Sequence, residues 1–249
     1  MDAGAALRIA RLTVPEPGAR VVEIGGGTGT LTRALVACGA QVTCLEIDPE
    51  LIGILDSRED LAPARIIAAD ALTFDYGAAA GDAPWFAGGN LPYYIATPLL
   101  MRLLELPRPP ARIVAMVQRY VADRLIARAG TPAYGSLSIA VQFRSVVRRA
   151  FALGPELFFP RPKVESTVVT LEVRSEPAVA VRDQAFLMQV VRGAFAYRRK
   201  TIANSLALSL GIERARVRAA LRELNLDAEI RAEQLDLGTF AALADDLGT

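Results

Sequence analysis

Residues 21–32, VVEIGGGTGTLT, constrain the fold more than any other stretch: a short apolar strand runs directly into a glycine turn that opens a helix. Glycines at 25, 27 and 29 free the backbone to take positive φ and to approach a ligand closely. The helix behind them turns its unpaired N–H groups toward the same point. Further short runs along the chain supply a sheet for that strand. RVVEI (20–24), QVTCLEI (41–47), ARIIAA (64–69), PWFAGG (84–89) and RIVAMVQ (112–118) are nearly all apolar, as strands covered on both faces must be. Helical patterns lie between them, over Thr30 to Cys38, Pro49 to Arg58 and Pro98 to Glu105. This alternation predicts an α/β, Rossmann-like parallel sheet with helices on both sides. STVVTLEV (166–173) alternates and reads as a late antiparallel strand.

From about Asp183 the texture changes. QAFLMQVVRGAFAYRRKTIANSLALSL, ERARVRAALRELNL and GTFAALADDL are helical in period and hold no strand-like run. Glu176-Pro177 marks the boundary, giving a sheet domain over 1–176 and a small all-helical domain over 177–249. At 249 residues, 52% of them hydrophobic, the chain has core enough for both. No stretch of about 18 uncharged apolar residues appears, so no membrane span is expected. The opening MDAGAALRIARLTVPEP carries two arginines in its apolar part and no small-residue cleavage site, unlike a secretory signal. Cys38 and Cys44 are the only cysteines and there is no histidine, so neither a disulfide framework nor a metal site is expected. A reduced, cytoplasmic compartment fits.

The net charge of +1 hides an uneven distribution. Residues 1–110 carry 8 basic and 13 acidic side chains, residues 111–175 carry 10 and 4, and residues 176–249 carry 10 of each. A basic face suited to nucleic acid could be built just past the middle of the chain.

Four features carry chemistry. The glycine turn alone serves dinucleotides and S-adenosylmethionine alike. Glu46, 21 residues beyond Gly25 at the end of the second strand, can accept hydrogen bonds from both ribose hydroxyls of an adenosyl group. Helix capping there falls to Asp48, with Pro49 at the first helical position. Asp70, with Ala71 beside it, follows the third strand and can accept from an adenine amino group lying across the sheet edge. The fourth strand ends in Asn90-Leu91-Pro92-Tyr93. Adenine N6 is a poor nucleophile because its lone pair is delocalised into the ring. The Asn90 side-chain oxygen and the Leu91 carbonyl can grip its two N–H bonds and aim the lone pair at a methyl donor. Pro92 stiffens that turn, and Tyr93 can stack on the base. No histidine base is required.

With those residues in view, the chain resembles the ribosomal-RNA adenine dimethyltransferases along nearly its whole length. EIGGGTGTLT, LEID, ADAL, GNLPYYIATPLL, MVQRYVADRL, YGSLS, FFPRPKVEST, FAYRRKTIANSL and RAEQL carry the likeness. The resemblance implies a class I methyltransferase sheet with a C-terminal helical domain. It implies dimethylation of N6 on two adjacent adenosines near the 3′ end of small-subunit (16S) rRNA, late in subunit assembly, by a monomer using S-adenosylmethionine. Gly25, Gly27, Glu46, Asp70, Ala71 and Asn90 would then contact the cofactor, while Asn90, Leu91, Pro92 and Tyr93 hold the target adenine and Phe158 covers its other face. Arg198, Arg199 and Lys200, expected on a helix of the second domain, would meet RNA phosphates, as would Arg161 and Lys163 of the FFPRPKVEST segment.

Three departures from the family pattern stand out. The chain begins where a further N-terminal segment, which lines the cofactor pocket in relatives, would end. Gly25-Gly26-Gly27 replaces the usual Gly-Pro-Gly, and Tyr120 stands where relatives have an acidic residue. Two alternatives remain open from sequence: a large-subunit rRNA dimethyltransferase of the macrolide-resistance type, and a non-catalytic ribosome-assembly factor with the same fold.

Overall fold

The structure is a computed structural model that describes residues 1–80, 83–92, 94–158 and 164–248. Its strands are β1 (Arg20–Ile24), β2 (Gln41–Glu46), β3 (Arg65–Ala68), β4 (Trp85–Asn90), β5 (Arg112–Gln118), β6 (Ser145–Leu153) and β7 (Ser166–Val173). Its α-helices are α1 (Ala3–Thr13), α2 (Thr30–Ala37), α3 (Pro49–Asp56), α4 (Tyr76–Ala80), α5 (Ala96–Glu105), α6 (Arg119–Ile126), α7 (Ser136–Arg144), α8 (Gln184–Phe195), α9 (Ile202–Leu210), α10 (Arg214–Glu223) and α11 (Leu237–Leu247). None of them is long and apolar enough to cross a membrane.

The strands form one sheet in the order β3-β2-β1-β4-β5-β7-β6. β1 to β5 run parallel, and β7 lies antiparallel between β5 and β6. The order reverses at β1, which has β2 on one side and β4 on the other, and ligands of open α/β sheets bind at the carboxyl ends of strands around such a switch point. The Rossmann-like sheet expected from sequence is therefore present. β6 is an addition to that expectation. It is an edge strand whose Arg148 and Arg149 are exposed, and its register shifts between Arg149 and Phe151.

The chain forms two compact units: Met1–Ala122 with Ser145–Arg174, and Asp123–Arg144 with the chain from Ser175 onward. Local sequence explains why the second unit reaches back. Ile139 and Phe143 of α7 are buried in one cluster with Leu187 and Val190 of α8, Leu206 of α9 and Phe240 of α11. Tyr134 seals that unit, its hydroxyl donating to the Leu235 carbonyl at 2.9 Å. In the first unit, Ile9 and Ala10 of α1 and Leu31 and Leu35 of α2 join Val21, Val42 and Val114 of the sheet. The turns are set by side chains as expected: Asp48 accepts from the Glu50 N–H, and Pro49 opens α3.

β4 approaches its neighbours unusually closely, which accounts for Gly88-Gly89. A Cβ on Gly88 would meet Thr13 Cγ2 at 3.0 Å, and one on Gly89 would meet the Ile24 carbonyl oxygen at 2.4 Å. Backbone cannot step aside as a side-chain tip can. Gly89→Ala should therefore lower stability by about 1–3 kcal/mol, read as a lower urea midpoint at unchanged slope; an unchanged midpoint would contradict this packing.

Candidate active site

The carboxyl ends of β3, β2, β1 and β4 stand side by side and carry, in that order, Asp70, Glu46, the glycine turn and Asn90. The turn is tied to β2, since Gly25 N–H donates to the Leu45 carbonyl at 2.9 Å. Gly25, Gly27 and Gly29 take φ values of 76°, 55° and 82°, the left-handed region that favours glycine. Gly25 also sits against the end of β4. A Cβ there would lie 3.6 Å from the Asn90 carbonyl oxygen and 3.9 Å from Pro92 Cδ. By contrast, nothing lies within 4 Å of a Cβ position on Gly27, so open space faces that residue.

Glu46 is only 7% exposed. One carboxylate oxygen accepts from Gly27 N–H at 2.9 Å, and the other accepts from the N–H groups of Ile47 and Asp48 at 2.8 and 3.1 Å. A carboxylate offers roughly four lone-pair directions, so three are already taken. Two incoming hydroxyls would have to share or displace the bond to Gly27. Asp70 is half-buried. Its Oδ1 accepts from Leu72 N–H at 2.8 Å, and among the described residues nothing donates to Oδ2. Ala71 is buried, with its carbonyl accepting from the Tyr76 hydroxyl at 2.8 Å.

Past Asn90 the chain turns sharply. Leu91 N–H donates to the Met116 carbonyl of β5 at 3.1 Å, and the Pro92 carbonyl accepts from Ile95 and Ala96 N–H, both at 3.0 Å. The Leu91 side chain is buried, 2% exposed, so its backbone is anchored from both sides. The two expected amine acceptors are unengaged: among the described residues nothing bonds the Asn90 side chain or donates to the Leu91 carbonyl. Tyr93, the expected stacking ring, lies outside the described residues, as do Arg161 and Lys163. Phe158 is half-buried against the core of the first unit.

Arg198, Arg199 and Lys200 correct one expectation. They are exposed but not helical, because α8 closes at Phe195 and Thr201 caps α9 by accepting from Asn204 N–H. The three cations sit in the intervening turn, where Arg198 donates to the Pro132 carbonyl at 3.2 Å.

A mixed sheet of this order, with a glycine turn at its switch point, is the Rossmann-like fold of methyltransferases. The chain belongs to the ribosomal RNA adenine dimethylase family, whose pattern it matches over residues 3–245. It is 40% identical over 237 residues to ribosomal RNA small subunit methyltransferase A of Desulfitobacterium hafniense, covering 95% of this chain and 85% of that protein. The protein of the same name from Moorella thermoacetica is 40% identical over 259 residues, covering 99% and 89%. Among solved structures, a dimethyladenosine transferase from Plasmodium falciparum shares the fold with a TM-score of 0.80 at 23% identity, covering 98% of this chain and 95% of that one. The 23S rRNA methyltransferase ErmE superposes with a TM-score of 0.74 at 25% identity, covering 100% and 99%.

Sequence reasoning passed over Glu23, although a carboxylate inside the apolar RVVEI was a visible signal. It lies beside Cys44 across the β1–β2 ladder, in the strand that leads into the glycine turn. It is fully buried, and neither oxygen has a hydrogen-bond partner among the described residues. Burial pushes its carboxyl up to about 8, outweighing the lowering pull of neighbouring Thr32 and Cys44, so the group is neutral at pH 7. A raised folded-state value means that the unfolded chain gives up its proton first. The contribution of Glu23 to stability should therefore be greatest below pH 4.5, fall as pH rises, and level off above about 8. The slope from this group is at most about 1.4 kcal/mol per pH unit. Glu23→Gln should flatten urea midpoints across that window; an unaltered slope would show that Glu23 does not titrate there.

Proposed function

We propose that the chain uses S-adenosylmethionine to dimethylate N6 of two adjacent adenosines near the 3′ end of 16S rRNA, as a cytoplasmic monomer acting on immature small subunits. One observation carries this reading: two unengaged acceptors, the Asn90 side chain and the Leu91 carbonyl, sit on a braced turn that touches Gly25. An amine with two N–H bonds and a lone pair to be aimed fits such a pair.

The residues present also fit the cofactor. Open space faces Gly27, Glu46 keeps one acceptor direction for a ribose hydroxyl and can take a second at the expense of its bond to Gly27, and the free Asp70 Oδ2 can accept from an adenine amine. When bound, S-adenosylmethionine supplies an electrophilic methyl on a sulfonium. Asn90 and Leu91 draw the target nitrogen toward a tetrahedral shape and hold its lone pair in line with that methyl, so positioning carries much of the rate. Methyl transfer there would exchange an S–C bond for an N–C bond, with the electron pair kept by sulfur and the N6 proton released to solvent. Each methyl needs a fresh donor, and the second transfer has one N–H left to grip. Tyr93 and Phe158 are the proposed aromatic faces for the extruded base, offsetting the few kcal/mol that unstacking costs. Arg198, Arg199, Lys200, Arg161 and Lys163 are the proposed phosphate contacts, which position RNA without reading its sequence.

The likeness to ErmE keeps a large-subunit substrate as the second reading. The relatives at 40% identity, all named for the small subunit, favour the first. Labelled S-adenosylmethionine should mark immature small subunits from a strain lacking the modification, with mass spectrometry counting four methyls on two adjacent adenosines. Label confined to large-subunit RNA would overturn this in favour of the second reading. Asn90→Ala should lower kcat on the order of 10²–10³-fold, as loss of one preorganised polar group typically does; full activity would refute the assigned role.

A further inference from the structure

Tyr94 is the most exposed of the large hydrophobic side chains described, at 81%. Its hydroxyl makes no hydrogen bond to a described residue, and its ring enters no aromatic or cation–π pair among them. Yet the backbone that carries it is fixed. Pro92, two residues earlier, packs toward Gly25, and its carbonyl accepts from Ile95 and Ala96 N–H on the far side of Tyr94, where α5 begins. A ring so largely solvated on a braced turn has little packing to do within the protein. It stands three residues past Leu91, on the same turn as the proposed acceptors for the target amine.

Extruding one adenosine leaves the neighbouring base with a bare face. Stacking suits any base, because every base has a π-face. On the proposed reaction each of the two adjacent adenosines is the target in turn, so the other is always next door. We infer that Tyr94 is the stacking platform for the nucleobase adjacent to the adenosine under modification, a positioning residue for the RNA. The inference rests on the rRNA reading of the same site.

Steady-state methylation of immature small subunits by the full chain tests it. Loss of one base stack should raise KM for the subunit about 5- to 150-fold in Tyr94→Ala, with a much smaller effect on kcat. Tyr94→Phe keeps the π-face and should keep a near-wild-type KM. Because the ring is 81% exposed and forms no hydrogen bond, aromatic pair or cation–π pair with a described residue, the melting temperature and the cofactor affinity by calorimetry should move little. An unchanged KM in Tyr94→Ala, with Asn90→Ala still slowed as predicted above, overturns this inference and leaves the proposed reaction standing. A Tyr94→Phe defect as large as that of Tyr94→Ala overturns it too, since it would assign the role to the hydroxyl. Failure of the wild-type protein to methylate small subunits removes the proposed reaction, and the inference falls with it.

Discussion

Gly25 has no side chain, and the end of β4 occupies the ground beside the place one would need, with the Asn90 carbonyl 3.6 Å and Pro92 Cδ 3.9 Å from its Cβ position. On that close approach the rest of the site depends. Two turns that leave adjacent parallel strands, β1 and β4, are brought together because glycine lets one backbone fold under the other. Gly88 and Gly89 extend the same economy down β4, admitting Thr13 and the Ile24 carbonyl. A nucleotide held by the first turn and an amine held by the second would be neighbours by construction, with no movement of chain needed to join them.

The polar groups around this junction are divided into those already committed and those left open. Glu46 is held by three backbone N–H groups, and Leu91 is braced through Met116. The Asn90 side chain, the Leu91 carbonyl and Asp70 Oδ2 have no described partner. Braced backbone with open acceptors is what positioning catalysis requires, since the cost of ordering those groups has been met during folding. Glu23, buried and neutral, fits the same division: ionised, it would place an uncompensated charge in the strand that leads into the glycine turn.

Much of this was legible in the sequence because it is local. The five parallel strands announced themselves as apolar runs, and Asp48-Pro49 set the start of α3. Glu46, Asp70 and Asn90 could be aligned as neighbours because parallel strands put their carboxyl ends on one edge. What escaped is non-local or masked by charge. β6 was missed because Arg148 and Arg149 and a register shift break its alternation at an exposed edge. That α7 packs with the helices after Ser175 depends on Ile139 and Phe143 finding a core far along the chain, which no local period reveals. The helical period also runs through Tyr197-Arg198-Arg199-Lys200, and only the capping of α9 by Thr201 stops α8 from being drawn across it.

The central claim is geometric, and a crystal structure of the protein with S-adenosylhomocysteine and adenosine bound addresses it most directly. The braced turn predicts adenosine N6 about 3 Å from both Asn90 Oδ1 and the Leu91 carbonyl oxygen, on the side that faces Gly25 and the cofactor sulfur. Adenosine seated elsewhere, or a Leu91 carbonyl turned away from that cavity, would contradict it.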